Sequence, residues 1–233
     1  MQIGGLQQVT LIDYPGRLAA VVFLIGCNFR CPWCYSSELV LPEKTKKQPK
    51  ISEKVFFQFL KSRKGLLEGV VICGGEPTIN KELPNFIKKI KKEGFLVKLD
   101  TNGSNPKMLK DLIDKKLIDY VAMDIKAPLV EKKYNKTTGT KGLLSKVKKS
   151  IEILEKSDVD YEFRTTVVPG FHSKDDILEI AKFIQKTKKY YLQNFRPEKN
   201  INKELEKIKP YPEEFLLEIQ KAIVPFFEVC LIR

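Results

Sequence analysis

Six short runs dense in β-branched and aromatic residues recur along this 233-residue chain, and each gives way to a stretch with helical spacing of its apolar residues. The candidate strands are 19–25, 70–73, 95–101, 120–125, 161–168 and 190–195. Runs such as AAVVFLI are apolar without alternation, which marks a strand covered on both faces and favours a parallel sheet. Helical candidates lie between them at 52–64, 81–93, 106–116, 143–156 and 174–188, with Ser52 as an N-cap and Glu93-Gly94 as a stop. Repetition of this kind implies right-handed βαβ units. Six units build an α/β single domain, a partial (β/α)6 barrel open on one side. A flat doubly wound sheet competes, because both architectures put loops at the C-terminal ends of the strands. Residues 1–18 read as a lead-in hairpin closed by Asp13-Tyr14-Pro15-Gly16, 19–200 as the βα core, and 201–233 as a final helix from Tyr211 and a terminal strand, all in one domain.

The apolar fraction is 42% and the net charge +13, so the chain has enough apolar residues to build a core. No apolar run approaches the roughly 18 residues that span a bilayer, and the first residues lack a basic region followed by an apolar one. The expectation is a soluble cytoplasmic protein. Only six of the 42 basic residues are Arg, and the lysines fall in runs such as FIKKIKKEG where they alternate with apolar positions. That pattern is the solvated face of amphipathic helices; a nucleic-acid partner is not expected.

Five cysteines are present, and three of them, Cys27, Cys31 and Cys34, fall within eight residues as GCNFRCPWC directly after the first strand. A disulfide framework does not look like this. Three thiolates on so short a loop suit a cubane iron–sulfur cluster, which usually takes four, and leave one iron open. A zinc site with a remote fourth ligand is the alternative, but the single His172 and the remote Cys73 and Cys230 make a poor second half. His172 reads as a surface side chain, Cys73 and Cys230 as small buried residues.

C-x3-C-x-aromatic-C after a first strand resembles the signature of the radical S-adenosylmethionine superfamily. TLIDYPGRLAAVVFLIGCNFRCPWC, VICGGEP, LDTNG, YVAMDIKAP, FRTTVVPGF and YLQNFRP, in that order, resemble the glycyl-radical-enzyme activases, most closely the anaerobic ribonucleoside-triphosphate reductase activating group. The resemblance implies a 4Fe-4S cluster with three Cys ligands and one open iron that binds S-adenosylmethionine. One electron then breaks the sulfur–C5′ bond and the adenosyl radical abstracts hydrogen from a glycine of a large partner enzyme. It also implies a flavodoxin- or ferredoxin-type electron donor.

By the same resemblance, Trp33 lies near the adenine, and Gly74, Gly75 and Glu76 receive the methionyl ammonium by backbone and carboxylate. Asp100, Thr101 and Asn102, with Asp124, lie beside the cofactor, the aspartates helping to hold a monovalent cation. Lys126 is nearby and is counted with the catalytic group. Two apart on a strand, Asp124 and Lys126 point to the same side, and opposite charges at a barrel rim suit an ionic ligand. Arg164 matches a basic position near the cofactor carboxylate. Arg196 stands where pyruvate formate-lyase activases carry a histidine, which counts against that branch. Tyr35-Ser36 replaces a common His-Asn pair, and KYNKTTGTKG keeps only a Thr-Gly of the downstream pattern. Two rival readings are a small-molecule radical enzyme such as 7-carboxy-7-deazaguanine synthase and a non-catalytic metal-binding module for nucleic acid.

Overall fold

A computed structural model describes residues 1–233. Eight strands form one sheet in the order of the chain: β1 Ile3–Thr10, β2 Ala19–Leu24, β3 Gly69–Gly74, β4 Leu96–Thr101, β5 Tyr120–Asp124, β6 Asp160–Val167, β7 Lys189–Asn194 and β8 Val229–Ile232. β1 runs antiparallel to β2, and every later pair is parallel. The six expected strands are β2 to β7, and the lead-in and terminal segments add one strand at each edge.

The helices are α1 Ser37–Val40, α2 Pro42–Thr45, α3 Glu53–Ser62, α4 Leu83–Lys92, α5 Pro106–Asp114, α6 Glu131–Thr138, α7 Leu144–Glu155, α8 Lys174–Phe183 and α9 Glu213–Ile223. A doubly wound sheet needs a point where the strand order reverses so that helices cover both faces. Here the order never reverses. Right-handed crossovers therefore stack the covering segments on one face, and the sheet curls around the other as a partial barrel. β1 and β8 do not pair, so the barrel stays open between them.

Alternation along each strand divides the side chains between the two faces. On the helix side Val22, Ile72, Leu99, Met123, Phe163 and Leu192 join a core cluster of 47 buried residues. The concave side has a small apolar floor of Tyr14, Ala19, Val21, Val71 and Tyr120. Above it the wall turns polar: Lys98, Asp100, Asp124, Glu162 and Arg164 are all on this side. Local caps hold the helices where the residues predict them. Ser52 Oγ accepts from Val55 N–H at 3.3 Å, and Ser173 and Asp176 form a capping box at α8. α8 ends at Phe183, short of the expected residue 188, because the chain needs the intervening turn to enter β7.

Three helices have no counterpart in the sequence reading. α1 and α2 are four residues each. α6 (EKKYNKTT) carries too few apolar residues to show a periodicity, and it is held by what it touches. No helix is long and apolar enough to cross a membrane.

Candidate active site

The loop after β2 carries the three thiols, and most of its supports come from distant segments. Gly26 leaves the strand with φ +99°, a conformation open mainly to glycine. Arg30 Nη1 donates to the carbonyls of Cys27 at 2.6 Å and Phe29 at 2.7 Å, tying the loop to itself. The end of α6 accepts from the loop: Arg30 N–H donates to Thr138 O at 2.8 Å. Thr140 Oγ1 donates to Asn28 O at 3.1 Å, and Tyr134 meets Phe29 edge-on. Gly139 has φ +62°, and a Cβ there would enter the Arg30 carbonyl. From the other side Ile201 and Asn202 N–H groups bond the carbonyls of Cys34 and Pro32 at 3.1 and 2.9 Å. The KYNKTTGTKG stretch is therefore a brace for the cysteine loop, and Ile201 and Asn202 are a second brace that the sequence reading missed.

All five cysteines are free. Burial pushes the thiols of Cys27 and Cys31 up to about 12 and raises that of Cys34, so without a bound cation they stay protonated. Bound iron would remove those protons outright. No three Cys, His, Asp or Glu side chains converge on a point suited to one ion. Nor is His172 a free ligand. It is 2% exposed and not on the surface as expected. Its Nδ1 accepts from Val168 N–H at 3.0 Å and Nε2 faces Lys126 O at 2.9 Å, so both ring nitrogens are spent as the neutral Nε2–H tautomer. Its position inside, under the 168–172 loop, depends on contacts that no local polarity pattern reveals. Three thiols on one loop, with no histidine free to join them, are donors of the kind that a cubane cluster takes.

Gly74 ends β3, and Gly75 and Glu76 follow it. A Cβ on Gly74 would run into the Leu24 backbone and one on Gly75 into the Gly26 carbonyl. What their missing side chains admit is the start of the cysteine loop itself, joined by Gly75 N–H to Leu24 O at 2.9 Å and Glu76 N–H to Gly26 O at 2.7 Å. The Glu76 carboxylate is fully buried. Oε1 accepts from Thr78 N–H at 3.1 Å, Thr78 Oγ1 at 2.5 Å and Thr101 Oγ1 at 2.7 Å, and Oε2 from Asn102 N–H at 2.6 Å. Burial raises its pKa against the pull of those four bonds. The carboxylate latches the end of β3 to the end of β4.

Asp100, Asp124, Lys126 and Arg164 converge at the barrel mouth. Asp124 and Arg164 are direct cross-strand partners. Arg164 Nε donates to Asp124 at 2.9 Å and its Nη1 to Asp100 at 3.0 Å, while Lys126 Nζ reaches Asp124 at 3.0 Å. Lys98, 1% exposed, pairs with Asp100 at 2.5 Å. Burial would raise the Asp124 carboxyl, but Arg164 and Lys126 outweigh it and hold the group down at about 2. Burial likewise opposes the charge on Lys126, and Asp124 outweighs it and raises its pKa. Lys98, Lys126 and Arg164 face Asp100 and Asp124, and Glu162 on the same wall is matched by Arg233 at 2.8 Å, so these groups leave one excess positive charge, suited to an anionic group. Arg164 stands between the two aspartates, in the place that the resemblance gives to a monovalent cation.

Trp33 is 5% exposed and packs edge-on against Phe171 and His172, with ring centroids 5.1 and 5.6 Å away. It anchors the loop to the 168–172 turn. Arg196 is exposed, makes no ion pair, and lines a cavity of about 460 Å³ with Tyr35, Phe23, Glu38 and the β1 glycines, Gly4 and Gly5. Cys73 is half-buried on the concave wall near Asp100, and Cys230 is buried on the helix side.

The family model described as the radical SAM superfamily matches residues 21–184. The chain belongs to the radical SAM superfamily. It is an enzyme of that class, and the superfamily brings with it a 4Fe-4S cluster and S-adenosylmethionine. A protein of Methanocaldococcus jannaschii is 35% identical over 99% of this chain and 95% of its own length; its provisional name is glycyl-radical enzyme activating enzyme. The 7-carboxy-7-deazaguanine synthase of Aquifex aeolicus is 34% identical, but over only 38% of each chain. Among solved structures, Streptococcus suis SuiB bound to S-adenosylmethionine superposes with a TM-score of 0.69 at 16% identity, covering 91% of this chain and 51% of that one. That likeness shows the fold.

Proposed function

We propose that this radical SAM enzyme is an activase that installs a radical on a glycine of a large partner protein, and that the partner is an oxygen-sensitive ribonucleotide reductase. The observation that carries the reading is the 35% identity, across nearly the whole of both chains, to a relative named as a glycyl-radical enzyme activating enzyme. In this reading Cys27, Cys31 and Cys34 ligate the cluster. When bound, the cluster and S-adenosylmethionine supply the one-electron cleavage and the radical.

The chain's own residues do the binding and the shielding. The braced loop presents the thiolates at the barrel mouth. Lys126 and Arg164 offer charge to the ligand's carboxylate, each steadied by Asp124. Backbone groups of Gly74 and Gly75 border the same space, while Glu76 acts through them as a latch, since its oxygens are already engaged. Thr101 and Asn102 secure that latch from β4. A monovalent cation beside Asp100 and Asp124 would have to displace Arg164, so we assign that charge to Arg164. Trp33 and the 168–172 turn wall the adenine side and exclude water. The gap between β1 and β8, with Arg196 and Tyr35 at its rim, is the entry for a glycine-bearing loop. Arg196, in place of a histidine, favours the reductase branch over the pyruvate formate-lyase branch. A flavodoxin- or ferredoxin-type protein supplies the electron.

The reduced, reconstituted protein is expected to release 5′-deoxyadenosine and methionine, and to generate a glycine-centred signal in electron paramagnetic resonance when mixed anaerobically with the reductase. Cleavage undiminished in Cys27→Ala, Cys31→Ala and Cys34→Ala variants, or a reductase that never acquires the signal, would overturn it.

A further inference from the structure

Building on the reading of Cys27 as a cluster ligand, we infer that the side-chain amide of Asn102 is aimed at the Cys27 sulfur and raises the reduction potential of the cluster that this sulfur holds. Asn102 is 6% exposed. Its Nδ2 lies 3.9 Å from Cys27 Sγ and 3.1 Å from Asn28 Oδ1. The two hydrogens of the amide have these two acceptors within reach.

The orientation is determined by neighbours that can play only one role. Ser104 N–H donates to Asn102 Oδ1 at 2.9 Å. A backbone N–H cannot accept, so the oxygen end of the amide must face Ser104 and the nitrogen end must face the cysteine loop. Asn28 is fixed in turn by its own Nδ2, which donates to Ser104 Oγ at 2.8 Å. The Asn102 backbone N–H is held separately by Glu76. The amide therefore has no second rotamer that keeps its bonds. Phe29 N–H adds another donor to the same sulfur at 3.3 Å.

Reduction adds one electron and spreads negative charge onto the ligating sulfurs. An N–H dipole pointed at such a sulfur stabilises the reduced form more than the oxidised form, and the buried setting strengthens the effect. The resemblance counts Asn102 among the cofactor contacts; the geometry turns its amide toward the cluster ligand. The cluster can then accept an electron from a weaker donor.

The test is a mediated potentiometric titration with dithionite on chains reconstituted with iron and sulfide, without S-adenosylmethionine or partner, following the paramagnetic signal of the reduced cluster. Asn102→Leu is expected to move the midpoint negative, a tenfold loss in the reduction equilibrium corresponding to about 59 mV for a one-electron couple. Asn102→Asp, which keeps the acceptor for Ser104, should move it further by adding a negative charge. Asn28→Leu, which frees the amide, should move it less and in the same direction. In resonance Raman spectra the iron–thiolate stretches should shift in the Asn102 variants, because the change is at the sulfur. An unmoved or positive midpoint in Asn102→Leu at wild-type iron and sulfide content overturns the inference. If that variant does not fold, the same result in Asn102→Asp overturns it. A wild-type chain that takes up no cluster overturns the functional reading instead.

Discussion

Replacing Glu76 by Gln tests whether this carboxylate is a latch or a ligand for the cofactor's ammonium. The side chains are nearly isosteric, so packing is preserved and only the hydrogen-bond roles change. Glu76 offers acceptors to two backbone N–H groups, Thr78 and Asn102, and two hydroxyls, Thr78 and Thr101, all buried. Gln has one oxygen. Its best placement keeps that oxygen on the side of three donors and turns an NH2 group against Asn102 N–H, leaving a buried donor facing a donor. One unsatisfied buried backbone N–H costs about 1–3 kcal/mol. Glu76→Ala strands both N–H groups, since the hydroxyls can rotate away, for about 2–6 kcal/mol before any cavity cost. Against a total stability of about 5–15 kcal/mol, such a loss is easily measured. The assay is urea unfolding of the cluster-free protein, where no cofactor contributes. The latch predicts Gln destabilised by about 1–3 kcal/mol and Ala by more, with unchanged slope. A Gln variant that unfolds at the wild-type midpoint yet binds S-adenosylmethionine poorly would refute the latch and restore direct ligand contact.

Other outcomes follow from the same geometry. Gly75→Ala drives a Cβ into the Gly26 carbonyl, and overpacking against backbone costs about 1–3 kcal/mol; iron and sulfide content after reconstitution should fall with it. Arg164→Gln removes two charge-assisted bonds of about 1.5–3 kcal/mol each, releases Asp124 from its low pKa, and should raise the dissociation constant for S-adenosylmethionine at least tenfold in calorimetric titration. His172 is buried neutral, with its pKa below the ordinary 6.5. Since the unfolded chain takes up that proton first, the stability it contributes is present above pH 6.5 and lost as the pH falls below it. Thermal unfolding across that window should show the loss, and His172→Gln, which retains a donor toward Lys126 O, should flatten it.

Much of the site can be read locally, because its chemistry lies within a few residues of chain. The spacing of Cys27, Cys31 and Cys34 depends on one loop. Asp124 pairs with Lys126 two residues on, as expected, although β5 ends at Asp124 and Lys126 lies just beyond the strand; Ser52 caps the helix that begins beside it. The six inner strands are legible because apolar residues without alternation have one stable destination, a sheet covered by helices. What could not be read depends on residues whose own composition signals nothing: α6 looks like a polar loop until Tyr134 and Thr138 meet the cysteine loop, and His172 looks exposed until the Trp33 ring covers it.

The sequence by itself determined the strand–helix order, the thiol triad and the ionic character of the barrel mouth. Only the tertiary structure decided how those groups are used. Glu76 meets Asn102 across 26 residues, Arg164 meets Asp124 across 40 and Asp100 across 64, and Asn102 meets Cys27 across 75. Such contacts need their partners close together and correctly oriented. Strand register and loop bracing set that geometry, and spacing along the chain does not encode it.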